Sequence, residues 1–166
     1  QEQIRQEIYP GASLALYQAG QWREFYFGLA NPQERKVTQA GLVYDLASVS
    51  KVVGVGTLAA FLYEQGKLDL DLPLQHYYPD FHREDVTVRQ LLTHTSGLDP
   101  FIPNRDQLTA PELKEALNHL TVLEDKTFRY TDVNFLLLGF MLEEIYGQVL
   151  DQIFQDQIFQ PWRSEE

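Results

Sequence analysis

The chain has 166 residues, of which 44% are apolar and 22% are charged, and it contains no cysteine. This composition excludes a disordered tail and a disulfide-stapled scaffold, and it supplies enough apolar side chains for a buried core. Thirteen basic and 24 acidic residues give a net charge of -11, which repels phosphate backbones and anionic lipids. We therefore expect no nucleic acid and no membrane surface as partner, but a small or neutral molecule.

The sequence gives little information on cellular location. The longest apolar stretch, residues 135–142, is far shorter than the roughly 20 residues that cross a bilayer, so we expect no membrane span. Residues 1–5 show no basic segment followed by an apolar one, so no signal peptide is visible. The absence of an initial Met leaves both a cytoplasmic protein and an exported, trimmed protein open.

The first 47 residues are rich in strand patterns. In chain order, we predict a helix over 3–8, strands over 12–17 and 22–29 joined by a turn at 18–21, a polar loop over 31–41 and a short strand over 42–46. The helix is expected to end near Tyr9 because the residue before a proline disfavours helical backbone. Gly20 in the turn favours a tight antiparallel hairpin.

From Ser48 onward the apolar spacing becomes helical. In chain order, we predict a long helix from 48 capped by Gly66, helices that start with capping boxes at Thr87/Gln90 and Thr109/Glu112, an apolar helix over 132–146 closed by Gly147, and a helix over 150–159 that ends before Pro161. These boundaries rest on local capping and breaking residues, which act within one turn of the helix end.

The predicted fold class is therefore α+β, with the strands and the helices segregated along the chain. Residues 1–47 are expected to form the N-terminal part of a sheet domain with a partial antiparallel sheet. Residues 48–166 are expected to form an all-helical domain. Two or three strands make a marginal sheet unless other strands pair with their edges, so we expect further strands to be missing from this chain.

Ser48 and Lys51 stand at the predicted start of the long helix. A spacing of three places them on one helix face, with the lysine amine in reach of the serine hydroxyl. Unpaired N–H groups and the positive end of the helix dipole can stabilise an oxyanion there and disfavour a protonated lysine. A serine nucleophile needs such an adjacent base. The alternative is that Ser48 is only an N-cap and Lys51 a solvated first-turn residue.

Tyr130 lies just before the most apolar predicted helix, which starts at Asp132. A phenol at a helix start can pass a proton between a nucleophile and a leaving group if a nearby cation lowers its pKa. Lys51 is the candidate for that cation. The alternative is that Tyr130 is a packed loop aromatic and that Thr131 or Asp132 is an ordinary N-cap.

Six short stretches stand in a fixed order along most of the chain. They are Pro10-Gly11-Ala12-Ser13, Ala47-Ser48-Val49-Ser50-Lys51, residues 64–71 (EQGKLDLD), residues 91–98 (LLTHTSGL), Phe128-Arg129-Tyr130-Thr131-Asp132 and Leu137-Leu138-Gly139. In this order they resemble the serine β-lactamase and penicillin-binding protein superfamily, in the branch that contains class C β-lactamases, DD-peptidases and related esterases. The resemblance implies a β-lactamase/transpeptidase-like fold.

The resemblance also implies roles for individual residues. Ser48 would be the acylated nucleophile, Lys51 its proton-abstracting or charge-setting partner, and Tyr130 the second general base and acid. The backbone N–H of Ser48 would supply half of the oxyanion hole, and the stretch around His94 would be structural. The implied chemistry needs no metal and no cofactor. The implied substrate is a small-molecule ester, a β-lactam or a D-amino-acid peptide.

Asp132 is a departure from the family pattern, which commonly has Asn at this substrate-binding position. An ionised carboxylate only accepts hydrogen bonds, whereas an amide both donates and accepts, so recognition of a substrate amide should be weaker. Asp132 could also pair with Lys51, keep it protonated and move proton abstraction to Tyr130. We therefore expect ester or peptide-like acyl transfer ahead of β-lactam turnover.

A second departure is the lack of the family's third motif, a Lys or His followed one residue later by Gly on a strand. No such segment follows Pro161, so we expect an N-terminal portion of a larger enzyme whose activity is impaired in isolation. One alternative is a non-catalytic binding module of the same fold that recognises cell-wall peptide or a protein partner. A metallohydrolase built on His76, His82 and His119 is disfavoured because their spacing fits no standard ligand set.

Overall fold

A computed structural model of the chain describes residues 1–163. The chain forms two compact units, Gln1–Leu46 and Ala47–Glu166. The expectation that no strand follows Pro161 extends to residues 164–166, which lie outside the described residues.

The first unit is a small antiparallel sheet preceded by one helical turn. Its elements are α1 (Glu2–Arg5), β1 (Gly11–Gln18), β2 (Gln21–Asn31) and β3 (Lys36–Val37), in the sheet order β1-β2-β3. The predicted hairpin is confirmed, with β1 and β2 paired from Gly11 opposite Gly28 to Gln18 opposite Gln21. Ala19 and Gly20 have φ angles of 51° and 77°. Two left-handed residues give the turn a twist that matches the paired strands.

Three predictions for this unit are wrong in detail. The first helix ends at Arg5 instead of residue 8, and Glu7 has a left-handed φ of 57° that no α-helix can contain. The predicted polar loop contains β3, because a two-residue strand is too short to show an alternating pattern. Residues 42–46 form no strand, and Val43 there is 98% exposed, so the apolar pattern has no buried face to occupy.

The second unit is helical. Its elements are a π-helix (Lys51–Gly56), α2 (Thr57–Glu64), a 3₁₀ turn (Leu74–His76), α3 (Val88–Leu92), a 3₁₀ turn (Arg105–Gln107), α4 (Ala110–Asn118), α5 (Asp132–Tyr146), α6 (Leu150–Phe154), a π-helix (Gln155–Phe159) and α7 (Gln160–Arg163). Both predicted capping boxes are present, at Thr87 and Thr109. The apolar helix has the predicted bounds, and Gly147 ends it with a left-handed φ of 65°.

Two helix predictions need correction. The long helix that follows Ser48 starts as a π-helix, and Gly54 within it has no side chain where the ring of Phe154 lies. The last helix does not end before Pro161, because the π-helix Gln155–Phe159 continues directly into α7. Pro161 is the second residue of α7, and the helix continues through it to Arg163.

Helix α5 forms the centre of the core of the second unit. The largest fully buried side chains are Tyr78, Phe81, Leu58, Leu62, Leu74, Leu91, Leu98, Leu117, Leu137, Leu138, Met141 and Leu142. Four of them belong to α5, which is packed against α3, α4, α6 and the first π-helix. Burial of this apolar surface fixes the start of α5 relative to the first π-helix.

Among the described residues, no single helix has the length and apolar composition to cross a bilayer. Helix α5 and residues 150–162 meet that measure only as a pair, and the pair is bent by 77°.

Candidate active site

Ser48 and Lys51 meet at the start of the first π-helix. Lys51 is the first residue of that helix, and its Nζ donates a hydrogen bond to Oγ of Ser48 over 3.3 Å. The backbone also closes a turn here, because the Lys51 N–H donates to the Ser48 carbonyl oxygen over 3.2 Å. Ser50, not Ser48, is the N-cap residue of the π-helix. The serine hydroxyl therefore faces the lysine amine, as the spacing predicts.

Asp132 forms an ion pair with Lys51, with Oδ1 of the carboxylate 2.8 Å from Nζ. This pair raises the pKa of Lys51, since the hydrogen bond to Asp132 outweighs the opposing effect of burial. The same bond lowers the pKa of the Asp132 carboxyl. The expectation that the helix start disfavours a protonated lysine is therefore wrong here. The predicted pairing of Asp132 with Lys51, which keeps the lysine charged, is present.

Tyr130 completes the group on the exposed side of the site. Hydrogen bonding with Ser48, and then with Lys51, lowers the pKa of the Tyr130 phenol. Nζ of Lys51 lies 5.5 Å from the centroid of the tyrosine ring. Ser48 Oγ accepts from the Lys51 amine, so the hydrogen of the Ser48 hydroxyl remains available for donation to the phenolic oxygen. The arrangement can therefore accept a proton from Ser48 at Tyr130.

The segment that carries Tyr130 rests on buried polar side chains. His94 is buried, and its ring centroid is 4.6 Å from that of Tyr130. Nδ1 of His94 accepts hydrogen bonds from Asn134 Nδ2 over 3.0 Å and from the Thr131 N–H over 3.4 Å. Ser96 Oγ donates to Asn134 Oδ1 over 2.7 Å. The sequence reasoning missed Asn134 and Ser96, although an amide in an apolar helix is a signal, because burial requires it to find partners.

An apolar groove lies beside the Lys51–Asp132 pair and has a volume of about 370 Å³. Its lining consists of Ser50, Lys51, Val55, Arg105, Asp132, Phe135, Leu136, Leu150 and Phe154. The charge of Arg105 adds to the effects that lower the pKa of Asp132. The sequence reasoning did not single out Arg105, which stands in a short 3₁₀ turn with no motif around it.

The remaining histidines stand apart from this group. Nε2 of His119 is 2.9 Å from a carboxylate oxygen of Glu115, and its ring centroid is 6.1 Å from that of His82. Within residues 1–163, no three or more His, Asp or Glu side chains are grouped so that they could hold a metal ion.

A model of the Beta-lactamase family matches residues 1–165. The chain is 34% identical over 114 residues to a beta-lactamase of Providencia stuartii, which covers 64% of this chain and 29% of that protein. It is 26% identical over 181 residues to a putative D-alanyl-D-alanine carboxypeptidase of Escherichia coli O157:H7, which covers 92% of this chain and 42% of that protein.

The solved structure of a class C beta-lactamase matches with a TM-score of 0.82 at 24% identity, over 96% of this chain and 45% of that one. This likeness confirms the expected β-lactamase-like α+β fold. The chain spans less than half the length of each of these three proteins. Because the family model matches nearly every residue, the chain belongs to the beta-lactamase family.

Proposed function

We propose that the protein is a serine hydrolase that acts by acyl transfer, through a covalent Ser48 acyl-enzyme, on an ester or peptide-like substrate. The observation that carries the proposal is that an amine and a phenol, both able to exchange protons, lie next to the Ser48 hydroxyl. The amine of Lys51 is 3.3 Å from Ser48 Oγ, and the Tyr130 phenol lies close enough to Ser48 for the serine to lower the pKa of the phenol. An activated serine nucleophile needs a base at that distance.

The protonation states assign the roles. Lys51 is held as an ammonium ion by Asp132, so it is a poor base but a strong stabiliser of negative charge. Tyr130 has a lowered pKa, and its phenolate takes the Ser48 proton as Oγ attacks the substrate carbonyl. The bond from the carbonyl carbon to the leaving group then breaks, and Tyr130 gives the proton to the departing alcohol or amine.

Deacylation reverses these steps with water as the nucleophile. Tyr130 removes a proton from water, the new carbon–oxygen bond forms, the bond to Ser48 Oγ breaks, and Tyr130 returns the proton to the serine. The Ser48 N–H donates to the oxyanion in both tetrahedral intermediates. Oxyanion donors of this kind are worth about 100- to 1000-fold in turnover.

The substrate class follows from Asp132, which accepts hydrogen bonds but donates none while ionised. We propose ester or D-amino-acid peptide substrates ahead of β-lactams. A substrate amide carbonyl finds no donor at this side chain, so this preference is strongest for an ester. The relative named as a putative D-alanyl-D-alanine carboxypeptidase supports a peptide substrate, whereas the relative named as a beta-lactamase supports a β-lactam.

Labelling with a fluorophosphonate probe tests the proposal, since this probe reacts with an activated serine and makes few demands on the rest of a cleft. The wild-type protein and the Ser50→Ala control should be labelled, and mass spectrometry should locate the adduct on Ser48. Ser48→Ala should remain unlabelled with an unchanged circular dichroism spectrum. Labelling that persists in Ser48→Ala, or the absence of labelling in folded, full-length wild-type protein, would contradict the proposal.

A non-catalytic binding module is the second candidate, and the Lys51–Asp132 ion pair favours it because a paired lysine cannot act as a base. This candidate predicts calorimetric binding of a D-alanyl-D-alanine peptide without acylation, and equal affinity for wild-type protein and Ser48→Ala. A covalent adduct on Ser48 would exclude it.

A further inference from the structure

His94 occupies a backbone position at which glycine is usual. Helix α3 ends in a Schellman motif, in which the Thr95 N–H donates to the Gln90 carbonyl oxygen over 2.8 Å and the His94 N–H donates to that of Leu91 over 3.2 Å. His94 has a left-handed φ of 57°, a conformation in which histidine occurs more often than most side-chain-bearing residues. This turn places the imidazole beside Tyr130, with 4.6 Å between the ring centroids.

The hydrogen bonds around His94 determine which ring nitrogen carries the proton. Ser96 Oγ accepts from the Leu98 N–H over 3.2 Å and donates to Asn134 Oδ1 over 2.7 Å. This contact turns the Asn134 amide nitrogen towards His94 Nδ1. The Thr131 N–H, which can only donate, points to the same nitrogen. Nδ1 must therefore be unprotonated, and the proton of neutral His94 must be on Nε2.

The same histidine holds both residues that flank Tyr130. Nδ1 accepts from the Thr131 N–H over 3.4 Å, and the His94 carbonyl oxygen accepts from the Arg129 N–H over 2.9 Å. Tyr130 packs on the imidazole at 4.6 Å between ring centroids. Loss of the Nδ1 acceptor would release one of these two backbone ties and alter the surface on which the phenol rests.

We propose that His94 is a positioning residue that holds Tyr130 in place only while its imidazole is neutral, so that protonation of His94 switches acylation off. A proton on Nδ1 would face the Thr131 N–H and the Asn134 amide hydrogens, which are all donors. The bonds from the Thr131 N–H and the Asn134 amide to Nδ1 would become repulsive contacts, whereas the bond from the Arg129 N–H to the His94 carbonyl oxygen would remain. The kinetic part of this inference rests on the proposed function, whereas the tautomer and its coupling to Thr131 do not.

The charges around the ring determine how readily His94 takes a proton. Burial, and then the Lys51 ammonium, disfavour the imidazolium, while Asp132 favours it, so the pKa of His94 is lowered. Phe128 and Phe135 pack against the ring at 6.0 and 5.2 Å between centroids and carry no charge. A small cavity of about 50 Å³ on which His94 borders also has Asp125 and Arg129, of opposite charge, in its lining.

Nitrogen-15 NMR of histidine-labelled wild-type protein tests the tautomer without any reaction. We expect the spectrum of a neutral ring with the proton on Nε2. Lowering the pH should shift the Thr131 amide signal with the same midpoint as the His94 ring. A proton on Nδ1 at neutral pH, or a Thr131 signal that does not follow the ring, would overturn the inference even if the protein acylates no probe.

Asn134→Asp is the most informative variant. It keeps the shape of the side chain and the hydrogen bond from Ser96, but it replaces the amide nitrogen that donates to His94 with a carboxylate oxygen that can only accept. It should stabilise the imidazolium and move the His94 midpoint, together with the acid decline in fluorophosphonate labelling, upward by at least about one pH unit. An unmoved decline would overturn the proposal.

His94→Gln should label about 10- to 100-fold more slowly at neutral pH because Tyr130 is misplaced. It should also lose the additional acid decline, and keep only the dependence that arises from Tyr130 itself. His119→Gln, at an exposed histidine outside the site, should match the wild type in both respects. An identical acid decline in His94→Gln and His119→Gln would contradict the assignment.

Discussion

Replacing Asp132 by Asn separates two effects of the carboxylate on the site, which are its ion pair with Lys51 and its inability to donate a hydrogen bond to a substrate. The change removes a negative charge 2.8 Å from Lys51 Nζ and keeps the size of the side chain. Asp132 is 53% exposed and Lys51 20% exposed, so water screens the pair from one side. We expect the free energy of unfolding to fall by no more than about 1 kcal/mol. Asp71→Asn, which breaks the more exposed pair with Arg89, is the matched control and should cost less.

The reactivity of Asp132→Asn should change more than its stability. An asparagine amide can donate one hydrogen bond to a substrate amide carbonyl, which is worth about 1 kcal/mol or about a fivefold gain in the acylation rate constant. The pKa of Lys51 should fall towards its ordinary value, because the largest cause of its elevation is removed. An ester without an amide gains nothing from the new donor.

Two acyl donors distinguish these effects. Stopped-flow acylation by a fluorescent penicillin, which carries an acylamino group, should be faster in Asp132→Asn. Hydrolysis of p-nitrophenyl acetate, which has no amide, should lack that gain. Equal gains with both reagents, or none with the penicillin in a folded variant, would refute the amide argument.

Three further outcomes are expected. Lys51→Ala should lower labelling by about 100-fold or more with an unchanged circular dichroism spectrum, because alanine favours helix; loss of the spectrum would make Lys51 structural. The free energy of unfolding of Gly54→Ala, measured by denaturant titration, should be about 1 to 3 kcal/mol lower than that of Gly56→Ala. The new methyl group at residue 54 would lie 2.5 Å from the ring of Phe154, whereas the nearest atom to a methyl group at residue 56 is at 3.5 Å. Equal stabilities of the two variants would contradict this packing. The pKa of His94 is lowered in the folded protein. The contribution of neutral His94 to stability should therefore be complete above the unfolded pKa of about 6.5 and be lost as the pH falls from there towards the folded pKa. Denaturant titrations that show the same pH dependence in wild-type protein and in His94→Gln would exclude this contribution.

The helix that leads into the site could be predicted to its last residue because its signals are local. The Thr131 side chain accepts from the Val133 N–H over 3.4 Å, and Gly147 takes the left-handed conformation that ends the helix. The three-residue spacing of Ser48 and Lys51 likewise fixes their contact within one turn. Capping and spacing rules act over three or four residues, and such features can be recognised from the sequence.

Features that depend on distant contacts could not be predicted in the same way. The bond between His94 and Asn134 joins residues 40 positions apart, and no local pattern pairs them. The π-helix Lys51–Gly56 depends on how the helix packs, since the same apolar spacing fits an α-helix. From the sequence, the helix start could disfavour a protonated Lys51 or Asp132 could stabilise it. The distance of 2.8 Å between Lys51 Nζ and Asp132 Oδ1 favours the protonated lysine, and this distance cannot be read from a sequence.

Burial divides the site into two sets of residues with different requirements. Ser48, Tyr130 and Asp132 are exposed, so they can meet a substrate, and water satisfies them when none is present. Ser96 and Asn134 are buried and must be satisfied by the protein. Substitutions in the first set should therefore change reactivity at little cost in stability. Substitutions in the second set should change both together, because the bonds that satisfy these buried groups also hold the Tyr130 segment.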